Sequence, residues 1–364
     1  MKIAFYGSSL LSSYWNGAAT YYRGLLNDLS RRGYSITFYE PDAFDRQNHR
    51  DIAPPDWARV KVYPATEEAL RDVIAEAAQA DIVVKASGVG VFDDELLDGV
   101  VAASRPDAIR IFWDVDAPAT LAELQAHPDH PLRRTMPSLD LVLTYGGGSP
   151  VVDAYEGFGA RRCVPIYNAL DPSTHHPVPA DDRFEADLSF LGNRLPDREA
   201  RVEQFFLEPA ARLPKRRFII GGNGWETKGM PPNVRHIGHV YTRDHNAFNA
   251  SPLAVLNIAR DSMASMGFSP ATRVFEAAGA GACLITDAWV GLDLFLKEGE
   301  EVLVARDGRD VACHVESLTP ERAKCIGNAA RARILTDHTY RRRGAEVDAI
   351  LRENAAQKRE RNVA

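Results

Sequence analysis

Arg273 and Glu276 stand three residues apart in the run 267–281, a spacing that puts both side chains on one helix face. An arginine so placed can reach a phosphate. A glutamate one turn deeper can accept hydrogen bonds from ribose hydroxyls. The plain alternative is a local ion pair on a solvated helix. The flanking residues favour the first reading. Ser269 suits an N-cap and Pro270 the first helical position. Ala271 and Thr272 complete a first turn whose N–H groups and positive dipole end attract anions. Gly279 and Gly281 stop the helix, and an apolar strand-like segment, 282–286, follows. The run predicts a nucleotide-diphosphate site in an α/β domain.

Other residues can serve the same chemistry. Arg260 follows an apolar segment and offers a second cation for a diphosphate, unless it is simple surface charge. Gly192-Asn193-Arg194 and Gly221-Gly222-Asn223-Gly224 are loops after strand-like segments. Glycine there permits positive φ and close approach of backbone to phosphate, although ordinary turns use the same residues. Fixed cations and helix amides can stabilise a leaving diphosphate without a metal. Asp114 and Asp116 form an Asp-x-Asp pair ahead of Pro118. They are open to three readings: metal ligands, a helix cap, or a general base at Asp116 that takes the proton of an acceptor hydroxyl. A base is dispensable if attack is from the front side, and Asp116 then only orients the acceptor. His175 and His176 read as linker residues, not metal ligands. Tyr14, Trp15, Tyr21 and Tyr22 border the loop 8–17 and can stack on a sugar, with Tyr22 better suited to the core.

Elements that would position these groups recur along the chain. Strand-like runs at 2–6, 35–39, 82–84, 109–113 and 139–144 alternate with helical spacing at 18–32 and 67–79. A proline-rich stretch around 168–179 reads as a linker. A second series follows, with strands at 188–191, 217–220, 253–258 and 282–286, and a long helical C-terminus broken near 336–339. Such alternation predicts parallel sheets with helices on both faces, and ligands beyond the carboxyl ends of the strands. At 364 residues the chain calls for two cores. A net charge of -7 argues against a nucleic-acid-coating surface. The four cysteines lack CxxC spacing, and no apolar run approaches the roughly 18 residues that span a membrane. The start reads as a first strand, so a cytoplasmic location is expected. A dinucleotide-binding fold with Glu40 as ribose acid fails on spacing, because no GxGxxG follows the first strand.

These residues resemble GT-B glycosyltransferases, most closely the CgeB-like (spore-maturation-protein-like) branch of the group 1 enzymes. The resemblance covers nearly the whole chain. Its most specific part is LNIARDSMASMGFSPATRVFEAAGAGACLITDAWVGLDLFLKEGEEVLVA, and GSSLLSSYWNGAATYYRGL, FWDVDAPATL, TYGGGSP, NALDPSTHHP and DHTYRRRGAEV are similar to that branch as well. It implies two doubly wound Rossmann-like domains facing across a cleft: 1–170 for the acceptor, 171–335 for the donor, and a C-terminal helix, 336–364, crossing back to the first. It implies transfer of a sugar, of hexose type, from a nucleotide-diphosphate sugar to an acceptor hydroxyl. UDP is the commonest nucleotide, and neither metal nor other cofactor is needed. Arg260, Ser269, Pro270, Ala271, Thr272, Arg273 and Glu276 would hold the donor with Asn193, Arg194, Gly222 and Asn223. The backbone at His239 and Val240 would hold the base, and Asn16-Gly17 would approach the phosphates. Group 1 retaining enzymes usually carry two glutamates separated by seven residues. Glu276 matches the second, and Phe268 stands at the place of the first. Two other functions are compatible with the pattern, a nucleotide-sugar 2-epimerase-like enzyme and a binding protein without turnover.

Overall fold

A computed structural model describes residues 1–12 and 17–363. Tyr14, Trp15 and Asn16 lie outside the described residues. The chain forms two compact units, Met1–Tyr167 with Tyr340–Ala364, and Asn168–Thr339. The first unit thus ends slightly before position 170, and residues 336–339 belong to the second.

In the first unit the strands are β1 (Lys2–Tyr6), β2 (Ser35–Asp42), β3 (Arg59–Pro64), β4 (Ile82–Ala86), β5 (Ile109–Asp114), β6 (Leu141–Thr144) and β7 (Cys163–Pro165). They pair in the order β3-β2-β1-β4-β5-β6-β7, all parallel. A parallel sheet covered on both faces needs strands apolar throughout, and every residue of β4 and β6 is buried. Lys85 in β4 is tolerated because its ammonium pairs with Asp93 at 2.5 Å. The last helix, Tyr340–Val363, packs on the helix Ala18–Arg31. Gly24 makes room for it: a Cβ there would lie 2.2 Å from the Tyr340 ring. Tyr34 donates its hydroxyl hydrogen to Asp348 at 2.8 Å on the same helix.

The second unit repeats the scheme with β8 (Leu188–Leu191), β9 (Phe218–Gly221), β10 (Val234–His236), β11 (Ala254–Asn257), β12 (Leu284–Asp287) and β13 (Leu303–Ala305). Their order is β10-β9-β8-β11-β12-β13, again parallel. Phe190, Phe206, Phe218, Trp225 and Leu256 fill one side of this sheet. The strand order reverses between β8 and β11, and open α/β sheets bind ligands outside the carboxyl ends of strands at that switch point. The segments that leave those two ends are 192–194 and 258–260.

Candidate functional site

The helix that carries Arg273 and Glu276 runs Thr272–Gly279, with Ala271 at its N-cap position. Ser269 is not the cap and Pro270 does not open the helix. Phe268 holds a left-handed φ of 48°, its N–H donates to Val290 O at 2.6 Å, and its ring fills the space a Cβ on Gly291 would need. The Ser269 hydroxyl donates back to Gly267 O at 2.9 Å. The chain therefore stays extended through Ala271, at φ -65° and ψ 153°. The helix begins at Thr272, and the free first-turn amides are those of Thr272 and Arg273.

Arg273 is held in an unusual state for a cation. Its Nη1 lies 3.5 Å from Glu276 Oε2, too long for a hydrogen bond, and its Nε and Nη1 are sealed from solvent without a hydrogen-bond partner. Burial lowers its pKa, and Glu276 only partly offsets this. Sequence reasoning passed over a second buried cation, Arg198. It lies on the helix Pro196–Val202, which starts after the β8 loop. One guanidinium nitrogen donates to the carbonyl of Asn193, its Nε is also buried without a partner, and its guanidinium lies 5.5 Å from the Phe190 ring centre. Burial pushes the Arg198 pKa down to about 10, and the positive charges of Arg273 and Arg260 push the same way. Arg260 completes the group and pairs with Asp197 at 2.6 Å. Three arginines thus gather at the switch-point ends of β8 and β11, and two of them, Arg198 and Arg273, bury guanidinium nitrogens without hydrogen-bond partners.

The glycine loops lock onto each other. Gly222 has a φ of 118°, and a Cβ there would lie 2.3 Å from Gly192 O. Its N–H donates to Gly238 O at 2.8 Å. Asn193 accepts at Oδ1 from the Asn223 N–H at 3.0 Å. Arg194 pairs with Glu199 through two nitrogens, at 2.9 and 2.7 Å. Gly222→Ala should collide with the backbone and demand a strained φ. We expect it to cost about 2 kcal/mol, read as a lowered denaturation midpoint, and to shift Asn193 with it.

Glu276 meets two histidines. His175 is not a linker residue. It is 5 % exposed, and its Nε2 lies 3.8 Å from Glu276 Oε1. His245, on the helix His245–Ala250, places a ring nitrogen such that one donor atom from each of His175, His245 and Glu276 lies within 4.8 Å of the others. Burial pushes Glu276 up, but His175, Arg273 and His245 outweigh it, and its carboxyl is held below the usual range. His239 is lowered by burial and stacks edge-on with Tyr241 at 4.7 Å. The Val240 side chain is buried, and its carbonyl lies 3.2 Å from His245 Nε2.

Gly17 and Asp116 belong to the first unit. Gly17 is exposed ahead of the helix Ala18–Arg31. The two members of the Asp-x-Asp pair are held differently. Asp114 is fully buried and accepts from the Tyr155 hydroxyl, from Thr120 Oγ1 at 3.1 Å and from the Asp116 N–H at 2.9 Å. Burial raises its pKa in spite of those bonds. Asp116 is partly exposed, stands at the N-cap of the helix Ala117–Ala126, and makes no side-chain cap bond.

Among the described residues no helix is long and apolar enough to cross a membrane. A family profile described as glycosyl transferase-like matches residues 198–349, a stretch that contains Arg198, Arg260, Arg273 and Glu276. No curated protein sequence matches the chain. Solved structures do. Sucrose-phosphate synthase from Thermosynechococcus elongatus superposes with a TM-score of 0.71 at 13% identity, over 98% of this chain and 100% of that one. Anabaena HepE in complex with UDP and glucose gives 0.68 at 14% identity, over 97% and 100%. AviGT4, a glycosyltransferase of avilamycin A biosynthesis, gives 0.60 at 16% identity, over 98% of both chains. At these identities the likeness speaks for the fold, which is that of GT-B glycosyltransferases: two parallel-sheet, Rossmann-like α/β domains.

Proposed function

We propose that this chain is a group 1 glycosyltransferase of the CgeB-like branch, which moves a hexose from a nucleotide-diphosphate sugar, UDP as the first choice, to an acceptor hydroxyl. The observation that carries the reading is the buried, unpartnered N–H groups of Arg198 and Arg273, which suit a diphosphate, with the charge of Arg260 close by. The family profile over 198–349 supports it, as does the kinship in fold with a protein solved with UDP-glucose. The diphosphate would bind against Arg273, Arg260 and the first-turn amides of Thr272 and Arg273. Arg198 would add charge that grows in value as the sugar–phosphate bond breaks. Such preorganised donors cost no rearrangement in the transition state, so no metal is required in this scheme. Asp116 is the candidate for taking or orienting the acceptor proton.

The test is a panel of nucleotide sugars incubated with the full chain, with release of nucleoside diphosphate as readout. Slow hydrolysis of one or a few members is the expected result, since water substitutes for the acceptor. Tight binding without any release would favour a carrier or adaptor. Neither binding nor release across the panel would overturn the assignment.

A further inference from the structure

Three acceptor atoms of the second unit converge with no hydrogen among them. His245 Nε2 lies 3.2 Å from the Val240 carbonyl. A carbonyl only accepts, so Nε2 bears the hydrogen and Nδ1 keeps its lone pair. That Nδ1 is sealed from solvent without a hydrogen-bond partner, a state that costs free energy. His175 Nδ1 lies 3.0 Å from Thr174 Oγ1. The Thr174 hydroxyl donates its one hydrogen to the Asp171 carbonyl at 3.2 Å. It therefore accepts from His175 Nδ1, and the lone pair of that ring falls on Nε2. This Nε2 stands 3.8 Å from Glu276 Oε1, itself an acceptor. One donor atom from each of the three residues lies within 4.8 Å of the others.

Both imidazoles are held in place beside the carboxylate. Asn246, next to His245, accepts at Oδ1 from the His176 N–H at 3.2 Å and donates from Nδ2 to the Thr174 carbonyl at 2.9 Å. It ties the loop with His175 to the helix with His245. Each ring also donates its far N–H to an oxygen, the arrangement that orients metal-bound histidines. A water molecule or a diol brings two hydrogens to three acceptors and leaves one lone pair unmatched. A metal ion satisfies all three. Two imidazole nitrogens and a carboxylate make a donor set for zinc, whereas calcium and magnesium call for oxygens throughout. We propose that His175 Nε2, His245 Nδ1 and Glu276 Oε1 form a zinc site. At zinc bonds of about 2.1 Å the ligand atoms stand about 3.4 Å apart, so the ion draws the three side chains inward. Arg273 faces the other carboxylate oxygen, Oε2. Its charge weakens the site, while its position leaves Oε1 to the metal. The zinc clips the segment 168–180 and the helix His245–Ala250 to the helix Thr272–Gly279. It takes no part in the transfer scheme above and does not depend on the nucleotide-sugar reading.

The experiment is equilibrium dialysis of the full chain, stripped with a chelator, against zinc chloride, with a thermal melt beside it. The chain should take up zinc stoichiometrically and melt at a higher temperature, because an ion that binds only the folded state stabilises it. His175→Phe and His245→Phe should each lose that zinc and the shift in melting. His176→Ala, at an exposed neighbour, should keep both. Thr174→Val removes the partner that orients His175 and should weaken zinc about tenfold. A readout that needs no variant is the zinc-edge anomalous signal of crystals grown with the metal. Its peak should lie about 2.0–2.1 Å from both imidazole nitrogens. Lack of stoichiometric uptake, uptake that survives in both phenylalanine variants, or a peak elsewhere would overturn the inference. No nucleotide enters the experiment, so its failure leaves the transferase reading standing, and failure of the nucleotide panel leaves the zinc site standing.

Discussion

Arg273→Ala is expected to weaken nucleoside-diphosphate binding about a hundredfold while the folded chain keeps its stability. The two effects separate because of how this side chain is held. A guanidinium whose Nε and Nη1 are sealed away without hydrogen bonds contributes little to folding, and burial has already lowered its affinity for its own proton. Its attraction to Glu276 at 3.5 Å returns part of that cost, and removal leaves Glu276 with His175 still near its other oxygen. The denaturation midpoint should therefore move little, by about 1 kcal/mol or less. A bound diphosphate would supply the missing acceptors in a dry site. Truncating one partner of such a charge pair costs about 3 kcal/mol, or about a hundredfold in affinity. Arg273→Lys keeps the charge and loses the fork, so it should fall between the two. The check is titration with the nucleotide that wins the panel, beside a denaturant melt of each variant. Wild-type affinity in Arg273→Ala would remove the arginine group from the donor site. A large fall in stability would show that Arg273 is a structural ion pair.

What could be read from the sequence was set by how local each signal is. Strands β4, β5, β8 and β11 are central, buried on both faces, and announce themselves as apolar runs. The edge strands β3, β7, β10 and β13 do not. Three of them are three residues long, and β10 is half-exposed. In such strands pairing supplies what composition does not. Arg273 and Glu276 were legible because helical spacing alone places them together. The start of their helix was not. Ser269-Pro270 has the look of a cap, but the left-handed Phe268 and the bond from its N–H to Val290 O hold the chain extended for longer. Arg198 sat unnoticed because it follows Pro196-Asp197 like any surface arginine, and only the fold buries it against Phe190. His175 and His245 are seventy positions apart by number, and only the packing of the 168–180 segment under the helix Thr272–Gly279 brings them to Glu276.

Asp287 is a further residue that sequence reasoning missed, and its loss should be the most damaging to folding. It ends β12, is wholly buried, and pairs with Arg201 at 2.5 Å. Both its oxygens also accept from the Ala259 N–H, at 3.1 and 3.0 Å, so it fixes the segment that delivers Arg260. Burial raises the Asp287 pKa, and Arg201 with these bonds recovers only part of the cost. The pair is thus poorly placed to add net stability, yet breaking it from one side is expensive. Asp287→Ala strands a guanidinium that is only 20% exposed and leaves the Ala259 N–H without its acceptor. Arg201 keeps Asp261 at 3.3 Å, so the expected loss is at the low end of the range for such breaks, about 3 kcal/mol. Because Arg260 is released, nucleotide affinity should fall too. The double variant Asp287→Leu with Arg201→Met removes both charges and should be more stable than Asp287→Ala alone, although it still loses the loop anchor. Denaturant midpoints of the three proteins decide the matter. If the double variant is no more stable than Asp287→Ala, the pair is a true source of stability, and the desolvation account of Asp287 is wrong.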